Sequence, residues 1–143
     1  HWVLGAPDAI RATGHLTERG VDADAAAVLT YPDAVAVFET SMQTRTENAA
    51  VIGFERGQIV LTKEFYRPAE LRVIWQEESG PYVEAWTEES LAAYGFEYQA
   101  AAFARALKAG LTEVPGHGWK DAAEVMAILD EVRAQVGAVL PGE

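Results

Sequence analysis

Short runs rich in apolar, β-branched and aromatic residues, separated by turn residues, occupy the first two-thirds of the chain. This pattern predicts seven β-strands, at residues 9–17, 23–31, 34–43, 48–55, 58–62, 70–77 and 82–86. Turn sequences separate several of them, such as Tyr31-Pro32-Asp33, Glu55-Arg56-Gly57 and Glu78-Ser79-Gly80-Pro81. Because joins this short connect only neighbouring strands of opposite direction, the sheet is predicted to be mostly antiparallel.

The last third of the chain changes to the 3.6-residue period of amphipathic helices. One apolar stripe, which ends before Gly110, consists of Phe96, Ala100, Phe103 and Leu107. A second stripe, which ends at Gly137, consists of Val125, Leu129, Val132 and Val136, and a start signal precedes it at Asp121 and Glu124. Strands followed by helices predict an α+β domain: a mostly antiparallel open sheet with two C-terminal helices packed on one face.

The first residues are typical of the end of a helix. His1 to Leu4 are followed by Gly5 and Pro7, a glycine stop and a proline that cannot continue a helix. Most of that helix would lie before residue 1, so we expect residues 1–143 to be one domain of a longer protein.

Composition narrows the classes of partner. The 143 residues carry 11 basic and 22 acidic side chains, a formal charge of -11, and contain no cysteine. The negative field disfavours nucleic acids and anionic membranes, and the lack of cysteine removes thiolate chemistry and fits a cytoplasmic location. No apolar run approaches the roughly 20 residues that span a bilayer.

The third predicted strand has apolar residues on both faces. Phe38 and Met42 share one face, while Val35 and Val37 share the other. If the helices cover only one side of the sheet, the second face needs a cover, and we expect self-association through it, as a homodimer. Arg11 or Arg45 could then pair with a carboxylate of the partner.

Several catalytic and cofactor motifs are absent. The chain has no G-x-G-x-x-G and no G-x-x-x-x-G-K-[ST] sequence, and the glycines at 116 and 118 are interpreted as a flexible connector. The histidines at 1, 15 and 117 lack metal-ligand spacing, Asp22 and Asp24 lack the pattern of a calcium loop, and no serine lies in a G-x-S-x-G elbow. The sequence therefore predicts no catalytic, cofactor-binding or metal-binding residues.

The best candidate for ligand contact is the segment Phe65-Tyr66-Arg67-Pro68, an irregular stretch between two strands. Two aromatic faces and a fixed cation suit a polyol or ring substrate, so Tyr66, Phe65 and Arg67 are candidate substrate-lining residues. The alternative interpretation is an edge aromatic cluster that packs under a loop.

The two C-terminal helices resemble the C-terminal domain of the Gfo/Idh/MocA oxidoreductase family. The resemblance lies in GFEYQA (95–100), FARALKAG (103–110), TEVP (112–115) and VMAILDEVR (125–133), with Gln99 and Val114 in place of the usual Glu and Ser. GVD (20–22), AVLTYP (27–32) and FYRP (65–68) are most similar to the branch that contains dimeric dihydrodiol dehydrogenases and aldose (xylose or glucose) dehydrogenases. That branch places an aromatic ring in the substrate pocket at the position of Tyr66.

The resemblance implies that this chain is the C-terminal half of an NAD- or NADP-dependent oxidoreductase acting on a sugar, polyol or cyclic diol. The family's dinucleotide-binding Rossmann domain, its catalytic Lys, and its Asp with His or Tyr precede the residues present here. The chain would supply a wall of the substrate cleft and an oligomer interface, and alone would be inactive. A stand-alone small-ligand-binding module with a START-like sheet and helix around a cavity is the alternative.

Overall fold

The computed structural model describes residues 1–62, 64–66, 70–78, 80–87 and 95–139. Its strands are β1 (Ala9–Leu16), β2 (Asp22–Thr30), β3 (Val35–Ser41), β4 (Ala50–Phe54), β5 (Gly57–Leu61), β6 (Glu70–Glu77) and β7 (Gly80–Thr87). Its helices are α1 (Phe96–Lys108) and α2 (Trp119–Val136). Each predicted strand is present with shifted ends, and the α+β class with antiparallel pairing is confirmed.

The strands form two sheets, where the sequence predicted one. The first has the order β1-β2-β3 and the second the order β4-β5-β6-β7. After β3, the Ser41 hydroxyl oxygen accepts hydrogen bonds from the backbone N–H groups of Gln43 and Thr44, at 3.1 and 3.0 Å. Such side-chain bonds turn the backbone out of the strand direction. The chain divides into two compact units, His1–Thr46 with Leu111–Glu143, and Glu47–Gly110.

In the first unit, the central strand β2 buries alternate small residues. The buried set is Ala23, Ala25, Ala27 and Leu29, followed by Tyr31 after the strand ends. The residues between them face outward, as the two-residue period requires. Short side chains on the buried face leave room for α2, which packs against β1 and reaches β2.

Helix α2 also covers the free edge of β1. The Gln135 side-chain oxygen accepts a hydrogen bond from the Ala12 backbone N–H at 2.7 Å, and its amide nitrogen donates to the Ile10 carbonyl at 3.0 Å. One side chain thus satisfies two backbone groups that a further strand would otherwise pair with. This contact protects an edge that could recruit another chain.

The start of α2 differs from the prediction. The helix begins at Trp119, with Gly118 as its N-cap, and Asp121 is the third helical residue, whose carboxylate accepts from the Gly118 N–H at 2.9 Å. Asp121 is therefore the returning half of a capping box and not the cap itself. The predicted stop is confirmed, since Gly137 is left-handed at φ 85°.

The stripe predicted on α2 is correct at three positions and wrong at one. Val132 is buried, and Val125 and Val136 are partly buried, but Leu129 is 49% exposed. Ile128, also partly buried, continues the stripe in its place, because it lies four residues before Val132 and three after Val125.

Truncating Val132 and truncating Leu129 should cause different losses of stability. We expect Val132→Ala to lower the free energy of unfolding by about 2 kcal/mol, since it removes buried methyl groups and leaves a cavity. Leu129→Ala should cost less than about 1 kcal/mol because much of that side chain is already solvated. Urea unfolding of both variants measures this, and an equal or larger loss for Leu129→Ala would mean that the buried face is assigned wrongly.

The outward face of the first sheet is apolar near the start of β3, as predicted. Val35 and Val37 are 64% and 71% exposed, and Val28 lies beside Val37 in the register. Phe38 is partly buried on the opposite face. Met42, predicted to join Phe38, lies beyond the end of β3 and is 78% exposed, because the chain turns there.

The second unit contains the four-stranded sheet and α1. A row across its strands consists of Phe54, Gly57, Trp75 and Tyr82, in which the three aromatic residues are each about half exposed. The predicted α1 stripe forms on the helix, but Phe96, Phe103 and Leu107 are all more than half exposed. Neither helix in the described part of the chain is long and apolar enough to cross a membrane.

Candidate functional site

The predicted substrate-lining residues lie in the second unit, between β5 and β6. The Phe65 and Tyr66 rings meet edge to face, with centroids 5.8 Å apart and planes inclined at 76°. Phe65 and Tyr66 are 47% and 58% exposed, so each ring presents area to a ligand. Arg67, the third predicted residue, lies outside the described residues. The ligand-contact role of all three remains a prediction.

The backbone of Phe65 is anchored at the start of the second unit. Its N–H donates a hydrogen bond to the Asn48 carbonyl at 3.2 Å, two residues before β4 begins. An edge-to-face pair is the favoured geometry of aromatic rings. Two half-exposed rings held this way form an apolar surface suited to the flat side of a ring or polyol.

A polar groove that the sequence did not predict lies on the outward face of the first sheet. His15 Nδ1 and Asp24 Oδ1 are 2.8 Å apart, because the two residues are cross-strand partners in the β1–β2 hairpin. They line a groove of about 280 Å³ together with Glu39, Ser41 and Thr44. The turn alone would not have revealed the pair, because it sets Leu16 opposite Asp22, and a β-bulge next to Leu16 then brings His15 opposite Asp24.

This groove does not have the order of a hydrolytic triad. Across the sheet Asp24 lies between His15 and Ser41, its partner on β3. A triad requires the histidine between the serine and the carboxylate, so that the imidazole can take the hydroxyl proton. His15 is also 84% exposed in its side chain, as expected for a surface residue.

The start of α2 collects several carboxylates. Asp121 accepts from the Gly118 N–H, and Glu113 accepts from the Trp119 N–H at 2.9 Å. These bonds satisfy backbone donors that a helix start would otherwise offer to a phosphate. Of the two glycines predicted to form a flexible connector, Gly116 has a positive φ of 81°, whereas Gly118 is the N-cap of α2.

The same helix start brings together three possible metal ligands. The ligand atoms of His1, Asp121 and Glu124 lie within 4.8 Å of one another. His1 and Glu124 are already joined by a 2.6 Å hydrogen bond, Lys120 Nζ is 3.6 Å from the second Glu124 oxygen, and Asp121 caps the helix. The positive end of the helix dipole opposes a cation here, so the contacts account for the cluster as a capping network.

Two exposed residues of the second sheet have shifted acidities. The pKa of Tyr82 is raised, first because its hydroxyl donates a hydrogen bond to Glu84 at 3.0 Å and next because the carboxylate charge disfavours the phenolate. The pKa of Arg72 is raised by its hydrogen bond and ion pair with Glu70. Both shifts hold the groups in their ordinary protonated forms at neutral pH, so neither makes a general base.

Comparison with known proteins gives similar sequences and similar solved structures, although the chain matches no protein-family model. It is 29% identical over 138 residues to the trans-1,2-dihydrobenzene-1,2-diol dehydrogenase of Sus scrofa and 28% identical over 138 residues to that of Bos taurus. Each match covers 94% of this chain and 41% of the relative. The chain thus spans about two fifths of the length of these curated relatives.

One of the similar structures supports the fold. A solved protein of Yersinia pestis, provisionally named an oxidoreductase, superposes with a TM-score of 0.67 at 13% identity, over 99% of this chain and 46% of that one. The two dehydrogenase sequences support the resemblance of the chain to the C-terminal domain of the Gfo/Idh/MocA oxidoreductase family.

Proposed function

We propose that this chain is the C-terminal part of an NAD(P)-dependent oxidoreductase that acts on a sugar, polyol or cyclic diol. The observation that carries the proposal is the match over 138 residues to two proteins named as dehydrogenases of a cyclic diol. In such a reaction the carbinol carbon gives a hydride to the oxidised nicotinamide while its hydroxyl gives up a proton, so that an alcohol becomes a carbonyl. Phe65, Tyr66 and Arg67 would line the substrate side of the cleft.

The residues present do not have the chemistry that would bind the pyrophosphate of a nicotinamide dinucleotide. A pyrophosphate needs a glycine-rich turn that leads from a strand into a helix start with free amide groups. At the start of α2, Asp121 and Glu113 already accept from the Gly118 and Trp119 amides, and their charges would repel a pyrophosphate. The cofactor would therefore be held by a part of the protein other than these residues.

The alternative of a stand-alone START-like binding module is not favoured. The similar sequences and the similar structure carry names of dehydrogenases or of an oxidoreductase. A module of that kind would enclose its ligand in a cavity, whereas Phe65 and Tyr66 present half-exposed rings.

Self-association through the outward face of the first sheet is part of the proposal. Val35 and Val37 are exposed there, and burying them against a second copy would remove apolar area from water. Arg11 on β1 and Glu39 on β3 lie on this same face. A two-fold partner could bring these opposite charges together, which would offset part of the repulsion between two chains of charge -11.

A comparison of two proteins tests the enzymatic proposal. The complete reading frame that contains these residues should oxidise trans-1,2-dihydrobenzene-1,2-diol or an aldose with NAD⁺ or NADP⁺, measured as reduced cofactor at 340 nm. Residues 1–143 alone should show no turnover and no calorimetric binding of either cofactor below about 1 mM, since they lack a phosphate-binding turn. Tight stoichiometric binding by residues 1–143, or a complete protein that reduces neither cofactor with any polyol, would refute it.

A further inference from the structure

Glu64, which immediately precedes the aromatic pair, has an unusual backbone. Its φ is 42°, and it is the one non-glycine residue with positive φ among those that the structure describes. A residue with a Cβ pays a steric cost in this left-handed region, because Cβ approaches the carbonyl oxygen. Such conformations persist where the surrounding structure enforces them, and they concentrate at functional sites.

The position of this residue explains what the conformation achieves. Directly after Glu64, the Phe65 N–H is fixed to the Asn48 carbonyl at 3.2 Å. The two rings that follow are 47% and 58% exposed, so burial alone does not determine their direction. The left-handed backbone and the anchored amide both set the direction in which the chain carries Phe65 and Tyr66.

We propose that Glu64 is a positioning residue whose left-handed backbone presents the Tyr66 ring, with Phe65 against its edge, to a flat ring or polyol substrate. This inference rests on the proposed substrate-lining role of Tyr66. The backbone conformation at residue 64 then determines how well the ring is aimed.

Four substitutions separate backbone conformation from side-chain chemistry. Gly and Asn tolerate positive φ, Val does not, and Gln keeps the length and the conformational cost of Glu without its charge. In a sample of this chain, the Phe65 N–H, which donates to the Asn48 carbonyl, should stay protected from hydrogen exchange in Glu64→Gly, Glu64→Asn and Glu64→Gln, and lose that protection in Glu64→Val.

In the complete protein, Glu64→Val should raise the KM for the diol about tenfold with little change in kcat, which corresponds to about 1.4 kcal/mol of uniform binding. Glu64→Gly, Glu64→Asn and Glu64→Gln should stay within about twofold of the parent. A loss in Glu64→Gln equal to that in Glu64→Val would show that the carboxylate acts directly, and unchanged protection of the Phe65 N–H in Glu64→Val would also overturn the inference.

The Tyr66→Ala variant distinguishes the positioning role of Glu64 from the substrate-lining role of Tyr66. If Tyr66→Ala leaves the KM unchanged, the substrate-lining role itself is wrong. If Tyr66→Ala raises the KM while all four variants at residue 64 match the parent, that role stands and the positioning role fails.

Discussion

Val37→Glu is expected to prevent the proposed self-association and to leave the protein monomeric. Val37 is 71% exposed on the outward face of the first sheet, with Val28 beside it on β2 and Val35 two residues away on β3. If two copies pair through this face, the substitution buries a carboxylate in each copy without a partner. That desolvation should weaken the dimer about 100-fold or more.

The matched control is Val139→Glu, a valine 62% exposed outside both sheets. It adds the same charge to the chain, so a general effect of increased repulsion would appear in both variants. Light scattering and sedimentation at tens of micromolar protein, in low and high salt, measure the masses. A parent that is monomeric in every condition, or a Val37→Glu dimer as stable as the parent dimer, would exclude this face as the interface.

The strands could be predicted because a short-range pattern determines them. In β2 the alternation of buried and exposed residues follows the two-residue period from Ala23 to Leu29. The short turns then determine the antiparallel pairing, as they did for β1 with β2. The break between the two sheets has a weaker signal, because it depends on whether the Ser41 hydroxyl bonds to the backbone after it or leaves the strand to continue.

The face of α2 shows where helical periodicity is ambiguous. Ile128 and Leu129 are adjacent and similar in hydrophobicity, and either can complete a stripe with Val125 and Val132. Their burial depends on how the helix is rotated against the sheet. The bonds from Gln135 to Ile10 and Ala12 fix part of that rotation, and they link residues more than a hundred positions apart.

Only the residue types of the candidate site could be predicted from the sequence, and not its geometry. Adjacent aromatic residues between two strands indicated Phe65 and Tyr66, and the structure places their rings in contact. The left-handed backbone of Glu64 has no sequence signal, because glutamate rarely adopts positive φ. The pairing of His15 with Asp24 depends on a β-bulge next to Leu16 that shifts the register by one residue, and the sequence gives no clear signal for that bulge.

Gly57→Ala should destabilise the second unit more than an ordinary strand substitution does. Gly57 lies opposite Trp75 in the β5–β6 pair, and a Cβ added there would overlap the carbonyl oxygen of Ile74. Backbone atoms of a paired strand cannot move aside as a flexible side chain can, so we expect a loss of about 2–3 kcal/mol in the free energy of unfolding.

The control is Gly53→Ala in β4, where an added Cβ meets nothing within 4 Å. Its effect should be neutral or slightly stabilising, since alanine reduces the entropy of the unfolded chain. Urea unfolding, together with amide exchange at β5 and β6, compares the two variants. Equal stabilities would contradict the predicted clash, because they would show that the backbone of β6 can move away from an added Cβ.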